Sequence, residues 1–145
     1  MTEVAFHFNA PDKLSYACRL LRKACSNSAQ VVVMGTDDLM VDLDAALWTF
    51  SATAFVPHCL ASADAITLQH TPVVLVQGDQ VPAGLPHHQV LLNLGSTLLS
   101  GFETFEKVIE VVTHDEQDRA MARLRWKHYA DRGYPLVRHD LALKA

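Results

Sequence analysis

The chain is 145 residues long, half of them hydrophobic and 19% charged, with a formal net charge of −4. That length fits one compact domain over residues 1–145, and the composition excludes an intrinsically disordered chain and supports a well-filled core. An uncharged stretch, Ala45–Ala63, contains Pro57, His58 and several Ser and Thr residues and makes a poor membrane span; with no basic-then-apolar leader before Glu3, the expectation is a cytoplasmic protein.

In chain order, Glu3–Phe8 alternates around Val4, Phe6 and Phe8 and predicts a strand. Asn9-Ala-Pro-Asp12 turns the chain into a helix, with Asp12 as its N-cap. Lys13–Ser26 carries Leu14, Ala17, Cys18, Leu21 and Cys25 at helical spacing, with Arg19, Arg22 and Lys23 on the other side. Val31–Met34 is a short apolar run of the kind that forms a strand covered on both faces. Gly35–Asp38 turns and caps a second helix that reaches Leu47 or Trp48. This β-α-β-α rhythm predicts a parallel sheet flanked by helices.

Residues 49–71, rich in Ser, Thr and Ala, read as irregular. Pro72–Gln77 and Gln89–Leu94 are two more strands, separated by a turn containing Gly78, Pro82, Gly84 and Pro86. Lys107–Val112 is the next strand. Asp115–Asp131 is a long helix with Asp115, Glu116 and Asp118 at the end where its dipole favours them. Gly133 closes it. From Tyr134 the tail is either an edge strand or a surface segment. The expected fold is a three-layer α/β domain, its mostly parallel sheet of five or more strands flanked by helices.

Charge is unevenly spread. Residues 119–138 hold Arg119, Arg123, Arg125, Lys127, Arg132 and Arg138 against Asp131 alone, a local +5 that leaves −9 for the rest. Coating a nucleic-acid backbone calls for a broad basic face, which an acidic body with one basic segment lacks. A focused site for an anionic partner fits better, with a solvated helix face as the plain alternative. Cys18, Cys25 and Cys59 are odd in number and lack metal-type spacing, so they read as buried small hydrophobes without disulfides.

No G-x-G-x-x-G or G-x-x-x-x-G-K-[ST] occurs, and Asn9-Ala-Pro-Asp stands where a phosphate loop would follow the first strand. Without glycine there, backbone amides cannot closely approach a pyrophosphate, so neither a nucleotide nor another cofactor is expected. His7, His58, His70, His114, His128 and His139 are dispersed, and His87-His88 lies in a Pro/Gly turn. No H-x-x-x-H or H-E-x-x-H pattern points to a metal. No G-x-S-x-G elbow or cysteine nucleophile signature supplies a catalytic group.

Two features stand out. Leu43–His58 places Trp48, Phe50, Phe55 and Val56 at a helix end and in the following loop, where aromatics either plug the core or anchor a partner. Arg119, Arg123 and Lys127 repeat at i, i+4, i+8 as one cationic stripe, which Trp126 borders. An aromatic beside an Arg/Lys fork suits an acidic peptide with an apolar residue, because a guanidinium holds carboxylates bidentately. A solvated stripe with Trp126 packed inward is the competing reading.

Together the two blocks resemble a known family. The string L-D-x-A-L-W-(x)6-F-V-P-H-x-L-A, over Leu43–Ala61, strongly resembles the chi subunit of the bacterial DNA polymerase III holoenzyme. The stretch from Phe102 through Tyr134 is similar to it as well, above all F-E-K-V-I-E-V-V from Phe105 and A-R-L-R-W-K-H-Y from Ala122. In residues 1–30 and 62–90 only the element order agrees.

The resemblance implies a mononucleotide-binding-like fold that binds no nucleotide and has no active site of its own. It implies an adaptor that pairs with the psi subunit of the clamp loader. The adaptor also grips the acidic, phenylalanine-terminated C-terminal tail of single-stranded DNA-binding protein, and it meets DNA only indirectly. The family's tail-binding positions match Val112, Arg123, Trp126 and Lys127, with Arg119 or Arg125 adding longer-range attraction. The family more often has tyrosine where Trp126 stands, so a phenolic contact is lost. The psi-facing positions match Trp48 and Phe55, with Val56, Pro57 and His58 shaping their loop. From the residues alone, a small-molecule α/β enzyme and a direct single-stranded nucleic-acid binder remain as rivals.

Overall fold

The computed structural model describes residues 2–49 and 56–143. Among them, seven strands form one sheet: β1 (Glu3–Ala10), β2 (Val31–Gly35), β3 (His58–Leu60), β4 (Val73–Gln77), β5 (Val90–Asn93), β6 (Lys107–Thr113) and β7 (Leu136–Asp140). Their spatial order is β3-β4-β2-β5-β6-β1-β7, and each pairing is parallel. Helices α1 (Lys13–Ser26) and α2 (Asp37–Thr49) pack on one face, while α3 (Ala65–His70) and α4 (Glu116–Asp131) pack on the other. The fold is a three-layer α/β arrangement.

The central strands read as unbroken apolar runs because both of their faces are covered. Val31 and Val33 enter the core under α1 and α2, while Val32 and Met34 enter the core under α4. Val73 and Leu75 against Val74 and Val76 repeat the alternation in β4. Asp12 caps α1 by accepting from the Ser15 N–H at 3.2 Å. Gly133, at φ +78°, closes α4, and the Tyr134 N–H reaches back to the Tyr129 carbonyl at 3.1 Å.

Three expectations change and one open alternative closes. Residues 49–71 hold β3 and α3, elements of three and six residues that are too short to show periodicity; Asp64 caps α3 through the Thr67 N–H at 2.8 Å. The segment between β4 and β5 is a crossover, since β2 lies between those strands. The tail is a true edge strand, β7, paired with β1. Finally, β1 runs past Phe8 to Ala10 through a bulge at which Asn9 takes φ +64°. Asparagine tolerates that left-handed conformation better than most residues.

Adjacent strands β1 and β6 send their helices in opposite directions on opposite faces. At such a switch point an α/β sheet offers a crevice beyond its strand ends. Here Lys13 bridges it. Its Nζ donates to the Leu94 carbonyl at 3.0 Å and pairs with Asp118 at 3.1 Å. Asp12, Asp115 and Asp118 line the same hollow, so carboxylates stand where the two helix N-termini would otherwise attract an anion.

Burial pushes the Asp118 carboxyl up, but the Thr113 N–H and the Lys13 ammonium outweigh it and hold it below the ordinary 3.8. Stability from a lowered carboxyl is present above its unfolded value and is lost as pH falls through the folded one. Asp118→Asn is therefore expected to cost about 1–2 kcal/mol in urea denaturation near neutral pH, with the deficit shrinking below about pH 4. An equal deficit at both pH values contradicts this assignment.

Candidate functional site

Alternation along β6 puts Val108, Glu110 and Val112 on the α4 face. Glu110 is fully buried there, and three donors meet its carboxylate. Arg125 Nε donates at 3.0 Å, the Tyr129 hydroxyl at 2.7 Å and Asn93 Nδ2 at 2.9 Å. Arg125 Nη1 also donates to the Ser96 carbonyl at 2.6 Å. Burial pushes the Glu110 carboxyl up, and the Arg125 guanidinium pulls it back. Burial and then the Glu110 charge push the Tyr129 phenol far above its usual range, so its hydroxyl remains a donor. Arg125 is only 3% exposed, which corrects the expectation that it adds to surface attraction.

With Arg125 and Tyr129 turned inward, the flank of α4 facing β1 and β7 presents Arg119, Ala122, Arg123 and Trp126. They border a cleft of about 360 Å³, near the lower end of the range for ligand pockets. Phe6, Phe8, Val112 and Ala122 line its apolar part. Trp126 walls it, packed edge-to-face on Phe6 with ring centroids 5.1 Å apart. The wall is therefore both packed inward and presented to the cleft, which merges the two readings of that residue.

Three guanidiniums join Asn9 and Thr113 in the polar lining: Arg119 and Arg123 from α4, and Arg138 from β7. None of the three has an acidic oxygen within 4.0 Å among the described residues.

The structure brings Val112, Arg119, Arg123 and Trp126 together at this cleft. Lys127 is exposed but stands outside the lining. Four residues of α-helix advance about 40° beyond a full turn, so the stripe winds away from the sheet by its third member. Phe6, Phe8, Asn9, Thr113, Ala122 and Arg138 line the cleft as well and were not singled out in the sequence. The Val4/Phe6/Phe8 alternation was the signal for Phe6 and Phe8, whereas Arg138 arrives through the parallel register that sets it beside Phe6.

The second predicted site lies at the end of α2. Trp48 is 59% exposed, with its ring centroid 4.9 Å from that of His58. His58 is buried between the Val56 carbonyl, 2.7 Å from Nδ1, and the Asp44 carboxylate, 3.0 Å from Nε2. Val56 is 1% exposed and belongs to the core, while Pro57 is half-buried. Val56 and His58 therefore support the Trp48 surface from beneath and add little contact area of their own. Phe50 and Phe55 lie outside the described residues.

The thiols of Cys18, Cys25 and Cys59 are free, and burial raises all three. Among the described residues no group of three or more His, Cys, Asp or Glu side chains comes together as metal ligands. No described helix is long and apolar enough to cross a membrane.

Residues 1–137 match the family model described as DNA polymerase III chi subunit, HolC. The chain is also similar to DNA polymerase III subunit chi from Pseudomonas aeruginosa, at 35% identity over 146 residues, covering 97% of this chain and 98% of that protein.

The geometry at the end of α2 separates a presented residue from a supporting one. Trp48→Ala is expected to cost less than about 1 kcal/mol in chemical denaturation. His58→Ala leaves Asp44 and the Val56 carbonyl without their partner and is expected to cost about 2 kcal/mol. Equal costs would mean that Trp48 is structural.

Proposed function

The chain belongs to the DNA polymerase III chi-subunit family, and on that premise we propose that it is a non-catalytic cytoplasmic adaptor of the clamp-loader assembly in DNA replication. It grips the acidic C-terminal tail of single-stranded DNA-binding protein and pairs with the psi subunit, meeting DNA only indirectly. The observation that carries the reading is the cleft, with its aromatic floor and its guanidiniums without acidic partners.

An acidic tail ending in phenylalanine is complementary to that combination. The terminal phenyl ring enters between Val112, Phe8 and Trp126, where burying apolar area gives about 25 cal/mol per Å². Arg123 takes the terminal carboxylate, and Lys127 receives Asp side chains upstream as the tail leaves along α4. Arg119 adds attraction at the mouth of the cleft. These pairs stay partly solvated, which makes the contact micromolar and sensitive to salt. The psi subunit engages Phe55 and the exposed Trp48, with Val56, Pro57 and His58 as supporting residues.

Fluorescence anisotropy with a labelled acidic peptide ending in Pro-Phe tests the reading. Saturable binding is expected at low salt and weakens as salt rises. Arg123→Ala and a peptide without its final Phe should each weaken it by roughly tenfold or more. A folded protein that ignores the peptide at low salt but binds single-stranded DNA would transfer the basic helix to the nucleic-acid reading.

A further inference from the structure

The cleft carries a cation on the wall opposite α4. Arg138 stands on β7 beside Phe6 in the parallel register and so shares its sheet face. Its guanidinium carbon lies 5.1 Å from the Phe8 ring centroid and 5.9 Å from that of Trp126. Cation–π attraction holds it there, which spares some of the ordering cost a mobile side chain would incur on binding. The nearest acid along that strand face, Asp140, is engaged by Asn9 Nδ2 at 2.8 Å and by the Ala142 N–H at 3.0 Å. Arg138 is exposed and keeps its donors open to the cleft.

We propose that Arg138 is a specificity-determining residue that reads the terminal carboxylate of the bound peptide, an inference that rests on the tail-binding reading above. A C-terminal residue carries its carboxylate and its side chain on one carbon. A phenyl ring seated on Phe8 and Trp126 therefore keeps its carboxylate close to the same floor. Arg138 is the cation lying over that floor. With Arg123 approaching from α4, two guanidiniums from different elements bracket one carboxylate, and each offers a planar fork. The arrangement selects a chain end over an internal phenylalanine flanked by acids.

The test uses two N-terminally labelled acidic peptides, one ending in free Phe and one ending in Phe amide, titrated by anisotropy at low salt. The proteins are the wild type, Arg138→Ala and Arg138→Lys; the position is exposed, so both variants should fold. Amidation should weaken wild-type binding roughly tenfold. Arg138→Ala should weaken the free-acid peptide about five- to tenfold and the amide less than about twofold, with Arg138→Lys in between. Equal weakening of both peptides, or of neither, overturns the carboxylate assignment while leaving tail binding intact. So does a wild type indifferent to amidation. A folded wild type that binds neither peptide overturns the tail-binding reading and this inference with it.

Discussion

A carboxylate buried in the middle of β6 governs where the rest of the site stands. Glu110 cannot be left unpaired: removing such a group from water costs several kcal/mol, and attraction returns that cost only when good geometry fills its lone pairs. Three donors do so, and two of them, Arg125 and Tyr129, lie one turn apart on α4. Both must meet one carboxylate, which fixes the rotation of α4 as well as its height along β6. Apolar packing alone would tolerate a sliding helix more readily. Once Arg125 and Tyr129 point inward, helical geometry turns Arg119, Arg123 and Trp126 toward β1 and leaves Lys127 on the outer surface.

The topology supplies the other walls. The crossover through α4 carries the chain over β1 and lays β7 along the outer edge of the sheet. Residues far apart in sequence, Phe6, Phe8, Val112, Trp126 and Arg138, then surround one hollow. The switch-point crevice beside it is bridged by Lys13 and Asp118 and lined by further carboxylates. An overall negative charge and a local basic cleft are compatible because the acids lie at the crevice and elsewhere, whereas the cleft's guanidiniums have no acidic partner among the described residues. Such an arrangement concentrates positive potential at one place rather than over a broad face.

Much of this was legible in the sequence, for identifiable reasons. The α1 boundaries follow from Asp12 and from the spacing of Leu14, Ala17, Cys18 and Leu21, both of them local signals. The apolar strands β2, β4 and β5 announce themselves by composition. The order of those strands was not readable, because whether β4 neighbours β5 or β2 depends on long-range pairing that no local pattern encodes. The role of Arg125 was hidden for the same reason. On α4 it is one basic residue among several, and only the buried carboxylate fifteen residues upstream distinguishes it from Arg123. The stripe of Arg119 and Arg123 was visible at helical spacing, whereas Arg138 reached the site through a parallel register with β1.

An NMR titration tests whether one cleft between α4, β1 and β7 receives an acidic chain end. ¹⁵N-labelled protein would be followed as an unlabelled acidic peptide ending in phenylalanine is added. Saturable shifts are expected at the Trp126 indole N–H and at the amides of Phe8, Val112 and Ala122, with Trp48 and His58 unmoved. Shifts centred on Trp48 with a silent cleft, or a spectrum that does not respond, would contradict this expectation.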